Sequence, residues 1–304
     1  MSQEQDILAR PAPKRPSRLT SRRIGIHASA AGGPQNAAER AYRLGCNTLQ
    51  MFSSSPRQWA PYRLSGPLCG EMLRLRNRYD LKPLAIHANY LVNLASTNPL
   101  LLEKSIAAFR GEVQRALALC ADYLVLHPGS FRGANREAGL LQTAAAIAAS
   151  TQGLDLAQAG LTILIENTAG AEFSLGSGFE QVAEVLDHLR NIVPAAACID
   201  TCHTHVAGYD LVTEAGIYQT LRQIDCTIGL CQIKVVHCND AKAPRGSKLD
   251  RHEHIGKGTI GKLAFRVLLN DPRLAHAAFI AETPLTRPGD DRRNVDALKR
   301  LVEP

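Results

Sequence analysis

The chain has 304 residues, 45% hydrophobic and 21% charged, which is the range of ordinary globular proteins and excludes collagen-like, coiled-coil and wholly disordered classes. No apolar run approaches the roughly 18 residues needed to cross a bilayer, so an integral membrane protein is excluded as well. Thirty-five Lys and Arg against 28 Asp and Glu give a net charge of +7, but six basic residues against two acidic ones fall in the first 23 positions, so the body is only mildly basic.

That first segment carries Arg10, Lys14, Arg15, Arg18, Arg22 and Arg23 among Pro11, Pro13 and Pro16, and reads as an unstructured basic arm over residues 1–23. Such an arm suits a polyanion through counterion release, and a solvated extension without a role fits the same composition equally. It opens on MSQEQD, with early acids and no apolar stretch, unlike a secretory or transit peptide, so a cytoplasmic location is expected. Eight scattered cysteines with no CxxC pair read as reduced, mostly buried thiols rather than a disulfide framework.

From residue 24 to 304 the pattern is one domain. Strand-like runs occur at 23–29, 47–52, 83–88, 123–128, 162–168, 196–201, 233–239 and 277–283. Between them lie helical segments such as NAAERAYRL, GEMLRLRNRY, residues 100–120, AGLLQTAAAIAASTQ, FEQVAEVLDHLRN and DALKRLVE. Strands alternating with helices imply parallel pairing, because a parallel connection needs a crossover. Eight such units suit a single (β/α)8 TIM barrel with parallel strands, which typically takes about 250 residues.

The strands end unusually. They finish on His27, His87, His127, Glu166, Asp200, His237 and Glu282, each polar and each directly after an apolar run. In a barrel those ends share one rim, where the βα loops build active sites. One polar strand end is as often a hydrogen-bonded core residue; seven make a constellation. His203 lies three residues past Asp200, and Asp250 and His252 sit in the loop after the seventh strand. Imidazole mixed with carboxylate and no thiolate favours zinc or manganese. Leaving His27 aside, nine ligands are too many for one catalytic ion and fit two or three. Three divalent ions would outweigh the charge of Glu166, Asp200, Asp250 and Glu282 and attract an anion, a phosphodiester above all.

GIHASAAGG (25–33), SPRQW (55–59), IHANYLVNLAS (86–96), LHPGS (126–130), IENTAG (165–170), CIDTCHTHVAGYDL (198–211), HCNDAK (237–242), DRHEHIGKGTIG (250–261) and AET (281–283) are similar to the motifs of the endonuclease IV family of apurinic/apyrimidinic endonucleases. The resemblance runs from about Arg23 to Glu303 and omits only the arm. It implies a trinuclear zinc enzyme of base-excision repair, with manganese tolerated in part, acting on double-stranded DNA that contains abasic sites. The cut would fall 5′ of the lesion and leave a 3′-hydroxyl and a 5′-deoxyribose phosphate, and 3′-blocking groups would also be cleared. Carried over by position, His87 and His127 hold one ion; Glu166 bridges it to a second held also by Asp200, His237 and Glu282; His203, Asp250 and His252 hold the third. Glu166, Asp200 and Glu282 become the catalytic carboxylates, while Arg57, Gln58, Tyr90 and Leu91 become DNA contacts.

On residue type alone Tyr90 and Leu91 read as core. His205 and His254 fall outside the family's ligand pattern and read as loop residues or as neighbours of the ligands, and His27 as a neighbour of the ligands. Lys257 stands where an acid is commoner in the family, a departure that removes no ligand. The alternative enzyme is a divalent-metal sugar isomerase or epimerase on a similar barrel, which needs no third ligand set; a DNA-binding protein with a dead site is a further reading, opposed by the complete ligand set. No dimerisation zipper is visible, so a monomer is expected, nucleoid-associated if the host is bacterial.

Overall fold

Residues 23–27 already show the principle of the fold: Ile24 and Ile26 point out to the helices while Gly25 and His27 point inward, the period of two that an extended chain imposes. The computed structural model describes residues 7–9, 20–59 and 63–303. In chain order these form β1 (Arg23–His27), α1 (Pro34–Leu44), β2 (Thr48–Phe52), α2 (Gly66–Arg78), β3 (Leu84–His87), α3 (Pro99–Ala118), β4 (Tyr123–Leu126), α4 (Arg136–Thr151), α5 (Leu156–Ala159), β5 (Thr162–Glu166), α6 (Phe179–Leu189), β6 (Ala195–Asp200), α7 (Thr201–Ala207), α8 (Glu214–Thr227), β7 (Ile233–His237), β8 (Asp240–Ala241), β9 (His252–Glu253), α9 (Lys262–Asn270), β10 (Ala278–Ala281) and α10 (Asp290–Leu301).

Eight of the strands close a barrel in the order β1-β10-β7-β6-β5-β4-β3-β2, every pair parallel. The other two, β8 and β9, form a small antiparallel ribbon inside the long connection from β7 to α9. The inward positions Ala85, Val125, Leu164, Ala196, Cys198, Val235, Ala278 and Ile280 pack as a separate cluster that fills the barrel. The outward positions, Ile24, Leu49, Ile86, Leu124, Ile163 and Val236 among them, join the apolar faces of the helices in one larger core. Asn98, Asn135 and Thr213 start α3, α4 and α8 by accepting from the backbone N–H three residues on.

Three differences from the sequence pattern have physical causes. β4 and β10 stop at Leu126 and Ala281, so His127 and Glu282 stand one residue past the sheet rather than within it. The helices α5, α7, α8 and α9 were not expected; α7, with the sequence TCHTHVA, has weak helical propensity and depends on Asp200, whose Oδ1 accepts from His203 N at 2.8 Å. Of the cysteines, four are buried, Cys46, Cys198, Cys202 and Cys238, while Cys120, Cys226 and Cys231 are exposed on helix ends and turns, where small thiols have no core to join. The expected arm lies for the most part outside the described residues. Within its span Arg22 donates to Asp271 O at 3.2 Å and Arg23 is the first residue of β1.

Closure of the barrel leaves no room at Gly25. A Cβ there would lie 2.2 Å from the carbonyl oxygen of Thr48 on the paired strand β2, and backbone cannot yield as a flexible side chain can. Gly25→Ala is expected to lower the unfolding free energy by about 3 kcal/mol, read by denaturant titration. A loss within experimental error would show that β1 and β2 can part without cost.

Candidate metal centre

The same alternation that fills the barrel carries the polar groups to its mouth. Two residues after an interior Leu164, Cys198, Val235 or Ala85 comes Glu166, Asp200, His237 or His87, and His127 and Glu282 follow Val125 and Ile280 in the same way. Glu166 is wholly buried at the centre: His237 Nδ1 lies 2.9 Å from its Oε1, and His87 Nε2 and His127 Nε2 each lie 3.1 Å from its Oε2. His203, on the first turn of α7, places Nδ1 3.5 Å from Glu166 Oε1 and Nε2 3.2 Å from Asp250 Oδ2. Asp250 also meets His252 Nε2 at 3.2 Å, and Glu282 Oε2 meets His237 Nδ1 at 3.4 Å.

Among the described residues, donor atoms lying within 4.8 Å of one another form three sets without a thiol: His87, His127 and Glu166; Glu166, Asp200, His237 and Glu282; and Asp200, His203 and His252. Two further sets bring in Cys198, with Glu166 and His237, and Cys202, with Asp250 and His252. Asp250 adjoins the third set through its contacts with His203 and His252. All nine groups singled out in the sequence therefore converge. Asp200, assigned by resemblance to the second set alone, stands between the second and third, its Oδ2 3.8 Å from His252 Nε2. Asp200 and His203 belong to the start of helix α7, and His252 to the ribbon strand β9.

Burial disfavours charge on Glu166, Glu282, Asp250, His87, His203, His237 and His252, yet these groups ionise one another. Desolvation opposes protonation of His203, but Asp200, the Asp250 hydrogen bond and Glu166 push its pKa up to about 10; His252 rises to about 9 against the same penalty, mainly through Asp250. His87 and His237 are raised as well, against burial, with carboxylates the chief cause at His87 and Cys198 and Glu282 at His237. Burial works against ionisation of Glu166, Glu282 and Asp250, but the facing imidazoles, His237 foremost for the first two and His203 for the third, hold all three carboxyls below their usual range. Such a set is balanced by protons or by metal cations. His252 Nε2 is shielded from solvent and faces two carboxylates, Asp250 Oδ1 at 3.2 Å and Asp200 Oδ2 at 3.8 Å, which suits a metal-ligand nitrogen. The nine donors singled out in the sequence are imidazole nitrogen or carboxylate oxygen, which fits zinc or manganese, and the Cys198 and Cys202 thiols beside them are pushed up by burial, to about 12 at Cys198, and so disfavoured as thiolate ligands.

A layer of amides fixes these groups, and the sequence reading missed it. Gln50, inward on β2, donates from Nε2 to Glu282 Oε1 at 2.6 Å while its Oε1 lies 2.9 Å from His237 Nε2. Asn167 accepts from Asp200 N at 2.7 Å and donates to Thr204 Oγ1 at 3.1 Å. Asn239 donates to Asp200 Oδ2 at 2.5 Å and accepts from Glu282 N at 2.8 Å. The available signal was a polar residue at an inward strand position, as in TLQMF, or just past a ligand, as in IEN and HCN. The ribbon is held separately: Asp240, wholly buried, accepts from Ala241 N, Gly258 N and Ile260 N at 2.9–3.0 Å.

The remaining residues fall as follows. Arg57 and Gln58 are exposed on the loop after β2, and Leu91 is half-buried on the loop after β3. Tyr90 is 59% exposed, its ring edge-on to Phe52 and 6.0 Å from that of His87, because it stands on the rim rather than in the core its residue type suggested. A cavity of about 390 Å³ runs from Tyr90 past His87, His127 and His203 to Asp250. His27 Nδ1 lies 3.2 Å from Glu282 Oε1. His205 is buried in α7, 3.2 Å from Thr259 Oγ1, rather than in a loop, and His254 meets Asn294 Nδ2 at 3.0 Å; neither belongs to the three sets.

The family model for xylose isomerase-like TIM barrels matches residues 38–301. The "Probable endonuclease 4" of Solibacter usitatus is 48% identical over 283 residues, covering 92% of this chain and 97% of that protein. The protein of the same name from Methanoculleus marisnigri is 38% identical, covering 92% and 98%. Among solved structures, endonuclease IV from Thermus thermophilus superposes with a TM-score of 0.80 at 35% identity, over 92% of this chain and 98% of that one. A D-tagatose 3-epimerase-like protein, at 18% identity and a TM-score of 0.67, shares the fold alone. With identities of 35–48% along nine-tenths of its length, the chain belongs to the endonuclease IV family of DNA phosphodiester hydrolases, within the xylose isomerase-like TIM barrels.

Proposed function

We propose that this enzyme hydrolyses the phosphodiester 5′ of an apurinic or apyrimidinic site in double-stranded DNA, leaving a 3′-hydroxyl and a 5′-deoxyribose phosphate. Removal of 3′-blocking groups belongs to the same reading, since it breaks the same kind of bond at a 3′ end. The observation that carries it is the convergence of His87, His127, Glu166, Asp200, His203, His237, Asp250, His252 and Glu282 on one barrel mouth in a member of this family.

Three ions fit these sets, zinc in the main with manganese in partial substitution: one at His87, His127 and Glu166, one at Glu166, Asp200, His237 and Glu282, one at His203, Asp250 and His252. When bound, clustered divalent ions supply the Lewis acidity that activates water and stabilises charge on the phosphate and the departing oxygen. The chain's own residues do the rest. Glu166 and Glu282 hold their negative charge because facing imidazoles, His237 foremost, keep them ionised, and Asp200 Oδ2 faces His252 Nε2 at 3.8 Å. Gln50 fixes the direction of Glu282 and His237 and Asn239 that of the Asp200 carboxylate, while Asn167 holds the Asp200 backbone, so that little reorganisation accompanies the reaction. Arg57 and Gln58 reach the DNA from an exposed loop, and Tyr90 and Leu91 fill the stack where an abasic nucleotide, which has no base to unpair, is extruded toward the cavity.

One chain supplies the whole ligand set, which supports a monomer. Among the described residues no helix is long and apolar enough to cross a membrane; we assign the enzyme to the cytoplasm, on the nucleoid in a bacterial host, because that is where its substrate lies. A sugar epimerase on this barrel would leave His203, Asp250 and His252 without work.

Two measurements test the reading. Purified enzyme is expected to incise a duplex containing one abasic site and spare the undamaged duplex, to lose activity after prolonged chelation, and to contain about three transition-metal ions by elemental analysis. One labile ion together with turnover of a ketose would favour the epimerase. Glu282→Gln is expected to keep the circular dichroism of the parent and to lower kcat by about a hundredfold or more; rates within a few-fold of the parent would remove Glu282 from the mechanism.

A further inference from the structure

Asn89 lies between the two loops assigned to DNA contact, and its amide is spent on them. The residue is buried to 7% exposure at the head of the loop after β3. Its Nδ2 crosses to the loop after β2 and donates to Ser55 O at 3.0 Å and to Gln58 O at 2.8 Å. Its Oδ1 accepts from Leu91 N at 2.7 Å, turning its own loop so that Tyr90 stands out from the surface. One side chain thus binds the backbone on both sides of Arg57 and the backbone next to Tyr90. None of these groups contacts the clustered carboxylates, so the amide has no part in holding them.

The far ends of the loop after β2 are also tied. Glu112, buried on α3, accepts from Ser53 Oγ and, at 3.1 Å, from Ser54 Oγ, and Lys104 places its ammonium 4.4 Å from the ring centre of Trp59. Between those anchors, among the described residues, the span that presents Arg57 and Gln58 is held by Asn89 and by one turn bond of its own, from Gln58 N to Ser55 O at 3.4 Å. A loop ordered before encounter spares the entropy of ordering it on the DNA, and two loops ordered by one amide keep a fixed distance between their tips.

We infer that Asn89 is a positioning residue that makes the loops after β2 and β3 a single preformed unit, with Arg57 and Gln58 held at a set distance from Tyr90 and Leu91 to receive the two sides of a distorted duplex. The inference rests on the reading of those four residues as DNA contacts. It concerns substrate engagement and not the chemical step.

Asn89→Ser separates the two halves of the role: the hydroxyl still accepts from Leu91 N but is too short to reach the neighbouring loop, and the charge is unchanged. Trp59, the one tryptophan of the chain, sits on the released loop and reports its order directly. In the metal-loaded variant, acrylamide quenching of Trp59 is expected to rise about twofold without DNA, and KM for an abasic duplex to rise about tenfold with kcat within about twofold of the parent and metal content unchanged. Asn89→Ala is expected to do the same and more, since it also frees Leu91 N; its unfolding midpoint, measured alongside, identifies any general loss of structure. Unaltered Trp59 quenching in both variants would overturn the clamp whatever the activity. Increased quenching with an unaltered KM would overturn the role in substrate engagement. A parent enzyme inactive on abasic duplexes would instead sink the functional reading, and the fluorescence would still judge the clamp.

Discussion

Glu166 is a carboxylate without solvent exposure, and every other feature of the barrel mouth follows from what it takes to keep one there. An isolated buried charge is untenable, and this one is met by His87, His127, His203 and His237 from four different segments of the chain. Those imidazoles in turn need carboxylates, which Asp200, Asp250 and Glu282 provide. The result is an alternating lattice of positive and negative groups that divalent cations can enter by displacing protons, since the geometry already sets nitrogen and oxygen donors around common points.

The lattice is held by amides as well as by the charges themselves. Gln50, Asn167 and Asn239 each bridge groups on different strands, and Asn93 performs the same task farther out, accepting from Ser130 N at 2.9 Å and donating to Ser130 O at 3.1 Å to tie the loop after β3 to the one after β4. A carboxamide suits this use because it has one accepting and one donating end at fixed separation and carries no charge of its own into a crowded field. The amides join several of the βα segments across the rim.

How much of this could be read in the sequence depends on the range of the interaction. The barrel was legible because alternation of apolar runs and helical segments is local, and the candidate ligands were legible because a His or Glu directly after VLVL-like residues has no core reason to be there. The family motifs then supplied the grouping, which spacing alone left open between two and three ions. Asn167 and Asn239 were hidden because their partners, Asp200, Thr204 and Glu282, lie 33 to 43 positions away, and nothing local marks an asparagine as a bridge. The helix α7 was hidden for a related reason: its own residues are poor helix formers, and it is started by the carboxylate of Asp200, a group whose first reading was as a ligand. Tyr90 looked like core because residue type carries no information about which end of a strand a loop occupies.

The ribbon of β8 and β9 gives the centre an uneven foundation. Glu166, Asp200, His237 and their neighbours stand on staves of the barrel and can shift only if the sheet shifts. His252 and the adjoining Asp250 hang instead from an outlying flap whose seat is the carboxylate of Asp240 and the backbone N–H groups of Gly258 and Ile260. A Cβ at Gly258 would fall 2.3 Å from Ala241 O, so the flap fits in one posture or not at all. Glu166, Asp200 and His237 are therefore set by the sheet itself, while His252 and Asp250 are set by a short ribbon whose posture is fixed at one buried carboxylate.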